Sequence, residues 1–207
     1  GMGHAMPNSV AAMRGVKAEG GWAVVSTEEC DIHASTDVLP YPEARLWDAE
    51  DGRRMALMVD AVHAQGALAA VELVHNGHAA SNRYSRLPVM GVSDLPVAAL
   101  EPSQACAMTR RDISDVRRWH RQAALRARDL GFDIVYVYAG HDLTLGMHFL
   151  SRRYNRRSDE YGGSLTNRLR LTQELLEDTR EAVGDRCGIA FRFAVDELLG
   201  SEGLSCE

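Results

Sequence analysis

Tyr138 and His141 stand three residues apart at the end of the apolar run Phe132-Asp-Ile-Val-Tyr-Val-Tyr138. A phenol beside an imidazole can orient a substrate and move a proton, because histidine titrates near neutral pH. Glu72 and Arg192 lie inside two other apolar runs, Ala67–Val74 and Cys187–Val195. A charge in such a strand is costly unless it is paired or bound to a ligand. Glu72 and Arg192 can satisfy each other, and Asp196 is a second candidate partner for the arginine. His75 directly follows the run that holds Glu72, and Glu29 lies at the end of the short run Gly21-Trp-Ala-Val-Val-Ser26. His75-Asn-Gly-His78 offers two histidines with no third ligand and a glycine turn between them, so no metal is assigned there.

These residues need elements to position them. Trp47–Gln65 reads as a helix that Asp48 can cap, with Met55, Met58, Val59 and Val62 on one stripe and Gly66 as its stop. Ala67–Val74 is a nearly continuous apolar strand, the pattern of a strand buried on both faces in a parallel sheet. The segment 75–108 carries Pro88, Pro96 and Pro102 and reads as a long irregular loop. A second helix is expected over 112–130, with Gly131 as its C-terminal stop. The strand 132–138 follows. A third helix begins near Ser164, a capping residue, and Gly184 closes it. Residues 187–195 form the last strand. Four strands thus alternate with three helices, an α/β order that implies a parallel sheet. No linker suggests a second domain.

The 207 residues, net charge of −6 and hydrophobic content of 45% are those of an ordinary globular protein. No apolar run reaches the roughly 20 residues of a membrane span, and no secretory signal precedes residue 12. The mild acidity, without a Lys/Arg block, argues against a nucleic-acid partner. Cys30, Cys106, Cys187 and Cys206 are scattered, which suits free thiols in the cytoplasm.

The stretch Phe149-Leu-Ser-Arg-Arg-Tyr-Asn-Arg-Arg-Ser-Asp-Glu-Tyr-Gly-Gly-Ser-Leu-Thr-Asn-Arg168 follows Tyr138-Ala-Gly-His141. Together they resemble the fourth strand and βα-loop of the old yellow enzyme family of FMN-dependent (β/α)8 barrels. The Tyr-x-x-His pair is similar to the trimethylamine and dimethylamine dehydrogenase branch. The resemblance runs from about Gly15 to Leu204. It implies a partial TIM barrel, with the second to fifth strands present, the first before Gly1 and the last three after Glu207. A smaller, complete open α/β sheet is the alternative.

The resemblance also implies roles. Tyr138 and His141 would face a small-molecule amine above FMN. Arg192 would sit beside the pyrimidine side of the flavin, Glu72 would contact ring nitrogens, and His75 would lie on the flavin rim. Glu29 falls where the branch has an aromatic substrate-bowl residue, and its carboxylate could pair with a cationic substrate. The run 155–168 would brace a loop rather than react. Leu143 stands where ene-reductases of the family have a proton-donating tyrosine, and leucine cannot donate a proton. The implied reaction is hydride transfer from an N-methyl or related amine to flavin, with imine hydrolysis and oxidative N-demethylation. The alternatives are an NAD(P)H-dependent reductase of enones or dienoyl thioesters, and a catalytically inactive fragment. The resemblance further suggests a homodimer. It puts an iron-sulfur cluster and the flavin phosphate site beyond Glu207, and a flavin-linking cysteine just before the Gly1-Met-Gly-His segment. Nothing in the sequence names the electron acceptor.

Overall fold

The computed structural model describes residues 5–37, 43–97 and 103–205. The Gly1–His4 segment, Pro102 and Cys206 lie outside the described residues. Five parallel strands form the main sheet. They are β1 (Val24–Asp31), β2 (Ala44–Arg45), β3 (Leu68–Val74), β7 (Ile134–Ala139) and β8 (Gly188–Phe193), in the order β2-β1-β3-β7-β8. Strands β4 (Met90–Gly91), β5 (Leu95–Pro96) and β6 (Gln104–Ala107) make a small second sheet. Segment 75–108 is therefore not wholly irregular, as its prolines suggested. Strands of two to four residues are too short for a period-2 pattern to declare itself.

The helices are α1 (Pro7–Glu19), α2 (Ala49–His63), α3 (Arg110–Asp129), α4 (Leu145–Leu150) and α5 (Leu165–Val183). Helix α2 starts at an Asp48–Asp51 capping box and α3 at a Thr109–Asp112 box. The Thr109 box explains why α3 begins two residues before its expected start. Ser164 caps α5 as expected, and Gly66, Gly131 and Gly184 each take a positive φ just past a helix end.

Two helices were not legible. Helix α1 has no side-chain cap, a weak apolar stripe and Gly15 in its middle. Gly15 faces α2, where a Cβ would meet the Ala61 Cβ at an ordinary contact distance of 3.5 Å, and a mid-helix glycine weakens the helical signal. Helix α4 is six residues long, too short for a helical period to declare itself.

The core lies between the sheet and its helices. Val25, Cys30, Ala69, Val71, Leu73, Val135 and Val137 face Met55, Met58, Val59, Ile113, Val116 and Leu171, all buried. The alternate residues of each strand turn to the other face. There Val24, Ser26, Glu72, Tyr136 and Arg192 line an open depression of about 430 Å³.

Strand β1 is the main departure from the expected elements. It runs from Val24 to Asp31 instead of 21–26, because a bulge lies between Ser26 and Glu29. Glu28, inside the bulge, has φ +69°. A bulge breaks the inside-outside alternation by which a strand is recognised. Glu29 thereby lies within the strand and pairs in register with Glu72.

Candidate active site

Strands β3, β7 and β8 bring Glu72, Tyr138 and Arg192 together. Arg192 Nη1 donates to Glu72 Oε1 at 2.8 Å. Glu72 is 4% exposed, so it sits in the sheet with its charge matched by the arginine. The Arg192 guanidinium carbon lies 5.0 Å from the centre of the Tyr138 ring. Glu72 holds Arg192 above its ordinary pKa, so the guanidinium keeps its charge.

Tyr138 and His141 meet through a hydrogen bond between the phenol oxygen and His141 Nδ1. Arg192 Nη2 lies 3.3 Å from His141 Nε2. A guanidinium only donates, so Nε2 must accept. The imidazole proton then belongs on Nδ1, where it donates to the Tyr138 oxygen. That leaves the phenol hydrogen free to point at a ligand. Burial pushes the Tyr138 hydroxyl up to about 12, so it stays a neutral phenol across the physiological range.

The turn that carries His141 is unusual. His141 and Asp142 both take positive φ, +59° and +58°. For residues other than glycine this conformation is costly and persists only where surrounding contacts fix it. Tyr154 donates its hydroxyl to Asp142 Oδ2 at 2.7 Å, and the Asp142 N–H points at Met147 Sδ. Tyr154 directly precedes the 155–168 run expected to brace a loop, and its hold on the His141 turn leaves no signal in the sequence.

Glu29 is half-buried beside Glu72. Burial, with Glu43 and Glu72 nearby, raises its carboxyl to about 7, while a hydrogen bond from Asn76 opposes the rise. Asp31, two residues on, is buried and held well above the usual carboxylate range, first by burial and then by Glu43 and Glu29.

His75 does not join this group. Its ring faces the helix side, near Ile32, His120, Val137 and Leu175. The Gly77 N–H donates to His75 Nδ1 at 3.1 Å, so Nε2 carries the proton and donates to Ser35 Oγ, also at 3.1 Å. Burial lowers its pKa to about 3. Strand alternation puts Glu72 on the open side and Leu73 toward the helices, and His75, just past the strand end, lies on the helix side with Leu73. His78 packs elsewhere, its ring centre 3.8 Å from that of His148.

The run 155–168 braces the loop after α4. Asn155 Nδ2 donates to the carbonyls of Phe149 and Tyr161, each at 2.7 Å. Arg157 pairs with Asp159, and Arg168 Nε donates to the Leu150 carbonyl. Gly162 leaves no room for a side chain, since a Cβ would lie 2.1 Å from the Arg157 carbonyl oxygen. Leu143 follows the His141 turn and is 37% exposed.

A parallel sheet with helices on one face, and polar groups gathered toward the carboxyl ends of its strands, is the arrangement of the βα-barrel class of proteins. The model of the NADH:flavin oxidoreductase / NADH oxidase family matches residues 2–207, and the chain belongs to that family. Dimethylamine dehydrogenase of Hyphomicrobium sp. (strain x) is 41% identical over 210 residues, covering 99% of this chain and 28% of that protein. Histamine dehydrogenase from Rhizobium sp. 4-9 superposes with a TM-score of 0.91 at 42% identity, covering 95% of this chain and 29% of the other. The 6-hydroxypseudooxynicotine amine oxidase of Pseudomonas geniculata N1 gives 0.92 at 44%, covering 94% and 29%. The chain thus spans less than a third of these relatives, and its sheet is part of a (β/α)8 barrel.

Proposed function

We propose that this chain supplies the substrate-facing and ring-facing residues of an FMN-dependent amine dehydrogenase in the cytoplasm. The observation that carries the reading is the Glu72–Arg192–His141–Tyr138 chain of contacts on the open face. Those residues suit a flavin: a fixed guanidinium and a carboxylate complement the donors and acceptors of its pyrimidine edge. The Arg192 side chain is 46% exposed, so it has donors left for a ligand after serving Glu72 and His141.

When bound, FMN supplies the two-electron oxidation, accepting hydride from the carbon next to the amine nitrogen. The protein's own groups do the rest. Tyr138 offers its hydroxyl hydrogen to the amine lone pair, which selects the neutral amine. His141 holds the phenol in place from Nδ1. Arg192 puts positive charge beside the ring, favouring the electron-rich state. Glu72 keeps that guanidinium fixed. The imine product hydrolyses to an aldehyde, so an N-methyl substrate would lose formaldehyde. Glu29 stands near enough to Glu72 to meet a cationic part of the substrate, and the assembled enzyme is expected to be a homodimer.

Aldehyde release tests the reading. An N-methyl amine with an artificial electron acceptor should give one aldehyde per amine consumed. Reduction of enones with NADPH, without amine turnover, would overturn it.

A further inference from the structure

Arg14 lies in α1, borders the same open depression as Glu72 and Arg192, and is 3% exposed. Its Nη2 donates to the Thr27 carbonyl at 2.9 Å and lies 3.0 Å from Glu28 Oε1. Both partners belong to the β1 bulge. Arg14 Nε is buried with no hydrogen-bond partner, so the side chain sits there despite an unmet donor. Thr27 in turn accepts the Glu72 N–H on Oγ1 at 3.2 Å. The bulge is therefore fastened on one side to α1 and on the other to the strand that carries Glu72.

A bulge changes which residues face the site. Without the extra residue, the β1 register would slip by one and Glu29 would turn away from Glu72. We propose that Arg14 is a positioning residue: by holding the Thr27–Glu28 bulge it keeps Glu29 beside Glu72 on the open face. This rests on the proposed function only in giving Glu29 a use; the geometric claim stands without it. The groups facing Glu29 are Asp31, Glu43, Glu72, Asn76, Tyr138 and Arg192. The relay runs from Arg14 to the bulge, from the bulge to Glu72, and from Glu72 through Arg192 to His141.

The test is an Arg14→Met variant of the intact protein, which keeps much of the apolar stem and removes both contacts. Two readouts apply, neither needing turnover: carboxyl carbon NMR of Glu29 against pH, and hydrogen exchange of the Glu72 amide. The expected result is that the Glu29 titration departs from about 7 and that Glu72 exchange rises at least about tenfold, with cooperative unfolding retained. A lowered melting temperature with Glu29 and the Glu72 amide unchanged would overturn the proposal. Arg14→Lys covers the case in which the methionine variant does not fold. One ammonium can meet the Glu28 carboxylate but cannot span both acceptors as the fork does. It should speed Glu72 exchange in a folded protein; wild-type exchange would also overturn the proposal. Loss of amine turnover with both NMR readouts unchanged would leave the proposed function standing and sink the role of Arg14.

Discussion

Arg192 Nη1 and Glu72 Oε1 lie 2.8 Å apart although 120 residues separate them in the chain. The pair is asymmetric: the glutamate side chain is 5% exposed and the arginine 46%. The two truncations should therefore differ. Glu72→Gln leaves a half-exposed guanidinium that water can serve, and should cost about 1 kcal/mol. Arg192→Met strands a buried carboxylate and should cost about 3 kcal/mol. Urea unfolding of the two variants at pH 7 measures the difference, and equal losses would mean that burial of Glu72 does not matter.

Glu29 sets a pH dependence. Its folded value is raised to about 7, so folding favours its protonated form. Its stabilising contribution is complete below about 4.5 and is lost as pH rises through 7. Glu29→Gln should then match the wild type in melting temperature near pH 4.5 and exceed it at pH 8. A constant difference across that range would show that Glu29 does not titrate there.

His120 works in the opposite sense. It is buried against Thr179 Oγ1 at 2.8 Å, and burial lowers its pKa to about 4. The neutral form is favoured in the fold, so stability is full above 6.5 and declines as pH falls toward 4. One such proton contributes a slope of about 1.4 kcal/mol per pH unit. His120→Gln should remove that slope from denaturant titrations between pH 6.5 and 4, with the remaining histidines and carboxylates supplying the rest.

Gly162 sits against the Arg157 carbonyl with no space for a methyl. Gly162→Ala should cost at least about 2 kcal/mol through forced backbone movement. The loss should be local, loosening the 155–168 loop first, and proteolysis of that loop would report it.

Much of this was legible in the chain. The main strands and the capped helices follow from continuous apolar runs, from Asp48 and Ser164, and from the glycines after each helix. The pairing of Glu72 with Arg192 follows from the cost of a lone charge in a strand. The missed parts share physical causes. Helix α1 has no cap and little amphipathic pattern, so the buried Arg14 had no readable setting. Plain alternation from Val24 and Ser26 would put Glu28 on the open face; the β1 bulge gives that face to Glu29 instead, and no residue pattern announces it. His75 and Glu72 are close in sequence, and only the register shows that they face opposite ways. The hold of Tyr154 on the His141 turn depends on two positive φ angles, which residue types alone do not announce.

The most direct measurement is reduction of bound flavin by an N-methyl amine without oxygen, followed at the flavin absorbance, in the intact protein and its Tyr138→Phe variant. The account predicts that the amine bleaches the wild-type flavin. It predicts that the variant keeps its flavin and bleaches about 10²-fold or more slowly, since the phenol hydrogen orients the amine. Equal bleaching rates in the two proteins would contradict it, as would a flavin that amines leave oxidised and NADPH reduces.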